Sequence, residues 1–301
     1  MDALVEVEGL TKRYGKIEAL KEVSLTVTEG VTGLIGPNGS GKTTLIKLIL
    51  GLIKPTEGRI RVFDVDPWRR GKFVRSRIGV LHEKPRFPNW ATGIDFLKFV
   101  AELRGVSNPE REAEEMLRLV GLSDDREKRI GEYSAGMTQR LGLAQAIIGY
   151  PPLIILDEPT ANLDPKGRVE ILDLIEKIHE ERNVSFLIST HILPELERVC
   201  QNIIILNQGR VIDMGGLKSL AEKYHAYNVT IKPEKPLELM ETLKTSKYVK
   251  NITLKGDEIT LNTSSMERLT EELGKTEIKI SYVRENPGLL ERIYIEATKS
   301  V

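Results

Sequence analysis

The sequence predicts an α/β fold with a parallel core sheet, an antiparallel N-terminal part, a helical insertion and a separate α+β module at its C-terminal end. Three observations carry this. The first ~30 residues alternate apolar and polar side chains, the period of a strand with one face buried. Leu153–Leu156, Ser185–Ser189 and Ile203–Leu206 are instead near-continuous apolar runs bounded by loops, the pattern of strands covered on both faces. After about Tyr224 the elements follow the order β-α-β-β-α-β.

Taken in order, Leu4-Val5-Glu6-Val7 and Val23-Ser24-Leu25-Thr26-Val27 read as antiparallel strands joined by a turn at Tyr14-Gly15-Lys16. Val31–Ile35 is a short strand, followed by a Gly-rich turn and an apolar helix from Thr43 to Leu52. Gly93 to Leu122 is helical in pattern, with breaks at Gly105 and Pro109. Another apolar helix starts near Met137. The run Ile203–Leu206 ends at the turn Asn207-Gln208-Gly209-Arg210. In the C-terminal part, Tyr227–Ile231 is a strand, Leu237–Leu243 a helix, and Asn251–Asn262 a hairpin turning at Gly256-Asp257. Met266–Leu273, Glu277–Val283 and Pro287–Ala297 follow as helix, strand and closing helix, and the whole suits a ferredoxin-like module.

Bulk properties exclude several classes. The 301 residues carry 44 basic and 44 acidic side chains, so no global field draws the chain to nucleic acid or anionic lipid, although a local patch stays open. One cysteine, Cys200, excludes an internal disulfide framework and suits a reducing compartment. The N-terminal stretch is charged and alternating, unlike a signal peptide. No apolar run reaches the roughly 18 residues that cross a bilayer.

The chemistry concentrates in two stretches. Gly36-Pro37-Asn38-Gly39-Ser40-Gly41-Lys42-Thr43 fits G-x-x-x-x-G-K-[ST], between a predicted strand and a predicted helix. Glycines let backbone N–H groups curl around phosphate oxygens, and the helix N-terminus adds its positive end. In this motif Lys42 reaches the β- and γ-phosphates and the Thr43 hydroxyl ligates Mg²⁺; Thr44, the next residue, is a further candidate for nucleotide binding. Ile154-Ile155-Leu156-Asp157-Glu158 supplies the second half. Asp157, at the end of a buried strand, is suited to hold Mg²⁺, and Glu158 to polarise an attacking water. A third stretch, Ser134-Ala135-Gly136, is stripped to small residues before an apolar helix. Ser134 serves as its cap, and the bare neighbours suggest that something approaches this backbone closely.

These stretches, in this order, resemble the ABC (ATP-binding cassette) ATPase family across residues ~1 to 222. The resemblance implies a P-loop NTPase cassette with a helical subdomain at about 85–150, followed by an accessory βαββαβ domain at 225–301. It implies ATP and Mg²⁺ as ligands, and catalytic roles for Glu158, Lys42 and the switch histidine His191. Tyr14 sits where the family stacks an aromatic on adenine; the competing reading is packing at the hairpin edge. Ser134, Ala135 and Gly136 sit at the signature loop, which in this family touches nucleotide bound to a second copy. Asn162-Leu163-Asp164 sits at the D-loop, with Asp164 supporting the facing site.

Two departures from the family pattern stand out. The signature reads Tyr133-Ser134-Ala135-Gly136-Met137 in place of Leu-Ser-Gly-Gly-Gln, a variant similar to those of exporters more than solute importers. Ala135 is tolerable there if its φ is negative. At the Q-loop, His82-Glu83 stands where the family often has Pro-Gln, so Glu83 either replaces the glutamine near Mg²⁺ or points to solvent. The following Pro85-Arg86-Phe87-Pro88-Asn89-Trp90 lies where the family receives a helix of a membrane subunit. Phe87 and Trp90 either line that groove or pack into their own core.

The resemblance thus implies an ATPase subunit of a transporter, peripheral on the cytoplasmic face of the membrane. Its partners would be a second ATPase subunit, in an ATP-induced homodimer, and a transmembrane permease, with no nucleic acid expected. The competing class is a soluble ABC ATPase acting on ribosomes, nucleic acid or cluster assembly. Those proteins usually carry two fused cassettes, a coiled coil or a zinc hook, and this chain has one cassette, no long heptad run and no CxxC.

Overall fold

The computed structural model describes residues 3–161 and 163–299, so Asn162 of the expected D-loop lies outside the described residues. The chain divides into two compact units, Met1–His191 with Val199–Val211, and Ile192–Arg198 with Ile212–Val301.

The first unit opens with β1 (Ala3–Tyr14) and β2 (Ile17–Thr28), an antiparallel pair in which Val7 faces Leu25 and Tyr14 faces Ile17. β3 (Val31–Ile35), fully buried, leads into α1 (Lys42–Ile49). β4 (Glu57–Val62) then pairs with the free side of β1, giving the order β2-β1-β4. α2 (Gly71–Ser76) precedes β5 (Ile78–Leu81). The helical region holds α3 (Gly93–Leu103), α4 (Pro109–Leu119) and α5 (Ala135–Ile147). Side-chain oxygens set their starts: Thr92 accepts from Asp95 N, Asn108 from Arg111 N and Ser134 from Met137 N. β6 (Leu153–Asp157), α6 (Pro165–Arg182) and β7 (Ser185–Ser189) follow. α7 (Leu193–Val199), which belongs to the second unit up to Arg198, precedes β8 (Asn202–Asn207) of the first.

The core sheet runs β5-β6-β7-β3-β8 with every pair parallel, as the continuous apolar runs predict. Its strands are buried nearly throughout, so alternation carries no advantage and Ile-Ile-Leu persists. Leu45, Leu48 and Ile49 of α1 join Val5, Val7 and Leu10 of β1 and Ile78, Leu153 and Ile155 of the sheet in one cluster. Each such side chain contributes about 1.5–3 kcal/mol on burial. α5 packs so tightly on β5 that a Cβ on Gly79 would stand 1.9 Å from the Ala146 carbonyl oxygen. Cys200 is buried, and burial raises its thiol far above the ordinary value.

β9 (Arg210–Gly216) runs from the first unit into the second, where α8 (Leu217–Lys223) precedes β10 (Tyr227–Pro233), α9 (Pro236–Lys244), β11 (Val249–Lys255), β12 (Glu258–Thr263), α10 (Met266–Gly274) and β13 (Ile280–Glu285). The sheet order is β11-β12-β10-β13, antiparallel throughout. Val229, Ile231, Ile259 and Leu261 alternate toward Leu239, Leu243, Leu269 and Leu273 of α9 and α10. The β-α-β-β-α-β order predicted by period switching is the order found, and α11 (Leu289–Thr298) closes the chain.

Candidate nucleotide site

β3 delivers the chain into the loop Gly36–Thr43. A Cβ on Gly36 would lie 2.0 Å from the Leu206 carbonyl oxygen, so the strand beneath leaves no room for a side chain. Gly41 caps α1 at φ 109°, a left-handed backbone, and a Cβ there would stand 2.7 Å from the Ala19 carbonyl oxygen. The loop is thereby held tight with its amides at the start of α1. Lys42 is buried, and its Nζ donates to the carbonyl oxygens of Gly36 at 2.6 Å and Pro37 at 3.2 Å. Burial lowers its pKa, opposed by the charges of Glu158 and Asp157. Ser40 Oγ is buried and finds no partner among the described residues. A hydroxyl without a partner beside a lysine bonded only to carbonyls is a polar cradle prepared for an anion.

Asp157 and Glu158 stand at the C-terminal end of β6. Burial foremost, and then the charges of Glu158 and Glu83, raise the Asp157 carboxyl above the usual carboxylate range. Glu158 adopts φ 52°, an uncommon backbone for a residue with a Cβ, and its N–H donates to Ser189 O at 2.7 Å. Its side chain is 13% exposed. Thr190 Oγ1 donates to it at 3.0 Å, and His191 Nδ1 lies 2.9 Å from both carboxylate oxygens. From the other side Gln139, buried within α5, donates from Nε2 to the carbonyls of Glu158 (3.2 Å) and Pro159 (3.0 Å). Thr190 and His191 thus hold the carboxylate, while Ser189 and Gln139 fix the backbone of Glu158 at the end of the strand.

A cleft of ≈ 370 Å³ gathers many of the residues singled out above. Tyr14, Asn38, Gly39, Gly41, Lys42, Thr43, Thr44, Glu83, Asp157 and Glu158 line it. Gly36, Pro37 and Ser40 lie in the loop that forms its wall, and His191 joins through Glu158. Tyr14 is 46% exposed at the tip of the β1–β2 hairpin and shares the cleft with Ile17. Glu83 both lines the cleft and reaches solvent, with Lys84 Nζ at 3.7 Å. Thr43, Asp157 and Glu83 are oxygen donors of the kind Mg²⁺ takes.

Ser134, Ala135, Gly136 and Asp164 do not line this cleft. Ser134 Oγ accepts from Met137 N at 3.2 Å at the start of α5, and Asp164 Oδ1 from Gly167 N at 2.8 Å at the start of α6. Ala135 lies within the helix at negative φ, so its extra methyl strains nothing there. Leu163 approaches Gly136 closely enough that a Cβ would meet it at 3.3 Å. Phe87 and Trp90 part company: Phe87 is half-buried with its ring centroid 4.9 Å from that of Phe96, whereas Trp90 is 79% exposed.

Sequence reasoning missed Gln139, Thr190 and Ile17. Gln139 was open to discovery, because a glutamine amid the apolar run Met137–Ile147 needs partners for a buried amide. Thr190 and Ile17 carry no such signal.

Comparison with known proteins accords with this geometry. The family model described as ABC transporter matches residues 20–161. The uncharacterized ABC transporter ATP-binding protein YxlF of Bacillus subtilis is 39% identical over 238 residues, 78% of either chain. The bacitracin transport ATP-binding protein BcrA of Bacillus licheniformis is 37% identical over 234 residues, 76% of either chain. A solved dimeric structure, the post-hydrolysis state of the ATP-binding cassette MJ0796 bound to ADP and Pi, matches with a TM-score of 0.64 at 28% identity. It covers 70% of this chain and 98% of that one. With such identity sustained over three quarters of the chain, the protein belongs to the ABC transporter family, as an ATP-binding subunit that hydrolyses ATP.

Proposed function

We propose that two copies of this chain close head-to-tail over two ATP molecules and that the closing and parting of the pair drives a separate membrane permease. The observation that carries the catalytic part is the Glu158 carboxylate, held by Thr190 and His191 on the cleft that Lys42 and the phosphate loop also line. Lys42 exchanges its loop carbonyls for the β- and γ-phosphate oxygens, and the amides of Gly39 to Thr43 bind the same charge. Tyr14 takes the adenine ring. Thr43, Asp157 and Glu83 are the residues that would hold Mg²⁺, which supplies charge neutralisation on the phosphates when bound. Glu158 orients a water and accepts its proton, and His191 steadies the carboxylate and the developing charge.

Ser134, Ala135 and Gly136 act on the nucleotide of the facing copy. The Ser134 hydroxyl and the amides at the start of α5 offer an anion site that their own subunit leaves unused. Asp164 supports the same facing site. Loss of the γ-phosphate removes the charge that holds the halves together, and they part. Residues 1–222 form the ATPase domain, with the helical subdomain at about 85–150 receiving the permease, and residues 225–301 an accessory domain. The chain sits peripherally on the cytoplasmic face of the membrane. No helix among the described residues is long and apolar enough to cross it. Export is the favoured direction, supported by the signature variant and by relatives named for bacitracin transport.

The test is affinity purification of tagged Glu158→Gln protein from detergent-solubilised native cells with ATP present. Recovery of a stoichiometric multi-span membrane protein supports the transporter reading. Recovery with ribosomes, nucleic acid or soluble proteins alone replaces it with the soluble-ATPase reading.

A further inference from the structure

The balance of charge over the whole chain hides a local excess. Residues 66–77 read Asp-Pro-Trp-Arg-Arg-Gly-Lys-Phe-Val-Arg-Ser-Arg, five basic side chains against one acidic, in a protein whose totals are 44 and 44. The one carboxylate is engaged locally. Asp66 Oδ1 accepts from the N–H groups of Trp68 (2.8 Å) and Arg69 (3.3 Å), and Oδ2 lies 3.5 Å from Arg69 Nε. Arg70, Lys72, Arg75 and Arg77 are without a carboxylate partner among the described residues. Arg70 and Arg77 lie over the ring of Phe73, at 5.7 and 4.4 Å from its centroid.

The same surface is apolar where a solvated charged face would not be. Trp68 is 47% and Leu52 50% exposed. The two are neighbours, because a Cβ on Gly51 would meet Pro67 O at 1.9 Å and Trp68 N at 3.2 Å. Arg75 Nη1 donates to Leu50 O at 3.2 Å, two residues before Leu52. An exposed indole and an exposed leucine thus lie beside a run of exposed guanidinium and ammonium groups.

We infer that this face, Leu52 and Trp68 with Arg69, Arg70, Lys72 and Arg75, rests on an anionic lipid bilayer surface. Guanidinium groups pair with headgroup phosphates, the indole suits the headgroup level, and a leucine beside it gains from the acyl boundary. Such attraction dies away within about 8 Å at physiological salt, so it acts only on a surface that is already close. The inference therefore rests on the transporter reading, which holds the subunit against a membrane. Duplex nucleic acid would also attract the cations, but it gives an exposed Trp68–Leu52 pair no apolar boundary to enter.

The experiment uses the full chain without a membrane subunit and vesicles of phosphatidylcholine, with or without one third phosphatidylglycerol. Co-sedimentation with the anionic vesicles alone, weakened by salt, is expected. The variant Arg69→Glu/Arg70→Glu/Lys72→Glu should lose at least about tenfold in vesicle affinity, with its ATP hydrolysis retained as the measure of folding. The chain has two tryptophans, so Trp90→Phe leaves Trp68 as the reporter. Its emission should shift to the blue on anionic vesicles. No binding, equal binding by the triple variant, an unshifted Trp68, or tighter binding to duplex DNA at the same salt would each overturn the inference. A chain that ignores vesicles yet co-purifies with a permease removes this inference and leaves the transporter reading standing.

Discussion

His191 Nδ1 lies 2.9 Å from both oxygens of the Glu158 carboxylate, so histidine and glutamate form one unit at the end of β6. Glu158→Gln is expected to bind ATP as the parent does and to lose about 10²–10⁴-fold in hydrolysis. His191→Ala should also be severely slowed. Because the two residues act through one contact, the double variant should be little worse than the poorer single. Phosphate-release rates that multiply across the two substitutions would show that the residues act independently.

Asp157 offers a test through pH. Its carboxyl is raised above the ordinary 3.8, first by burial and then by Glu158 and Glu83. A carboxyl with a higher pKa in the folded state contributes its stability below the unfolded pKa, and that contribution is lost as pH rises through the folded value. At neutral pH the ionised group therefore works against the ion-free fold. Asp157→Asn should melt higher than the parent at pH 7 in chelator, converge with it in acid, and lose stabilisation by Mg²⁺ with nucleotide. A lower Tm at neutral pH would contradict the sign.

Glu83 lines the cleft and leans into solvent, and one substitution separates the two attachments. Glu83→Gln is expected to leave ATP affinity unchanged within about twofold and to alter turnover or the Mg²⁺ concentration that supports it. Titrating Mg²⁺ against the hydrolysis rate decides the matter. Superimposable curves for the two proteins would remove Glu83 from the metal's surroundings.

Trp90 exposes 79% of its surface while Phe87, three residues earlier, packs on Phe96. Trp90→Ala should hydrolyse ATP like the parent and co-purify less permease. Phe87→Ala, by contrast, should cost stability. If Trp90→Ala retains its membrane partner in full, the groove is elsewhere.

Gly79 tests the packing under the site. A methyl group there has no room beside the Ala146 carbonyl, so either β5 or α5 must move. Gly79→Ala should lose about 1–3 kcal/mol of stability or more in denaturant unfolding. An unchanged midpoint would mean that the two elements are held less rigidly than their distance implies.

The phosphate loop was legible because its chemistry is local: Gly36 to Thr43 carry glycine, lysine and threonine at the places where backbone, charge and hydroxyl are needed. Asp157 and Glu158 were legible because a four-residue apolar strand has few reasons to end in two carboxylates. The C-terminal module declared itself by its change of period. β4 escaped, since Glu-Gly-Arg-Ile-Arg-Val alternates weakly and its place is chosen by the free edge of β1. The left-handed φ of Glu158 and the grip of Gln139 escaped for a like reason. Ser189 of β7 takes the Glu158 N–H and Gln139 of α5 grips its carbonyl, and no single segment encodes that meeting. Phe87 and Trp90 looked alike in sequence, and the fold brings Phe96 of α3 to one and leaves the other exposed.

The burial of Cys200 has a practical side. Its thiol is shut away and held in the unreactive protonated form, and the chain has no other cysteine. A maleimide dye or spin label offered to the native protein should pass it by. A reporter cysteine placed at Trp90 or Trp68 would then be the sole point of attachment, without first rebuilding a cysteine-free background. The approach of each face to its partner could be followed in the working ATPase as a distance, turnover by turnover.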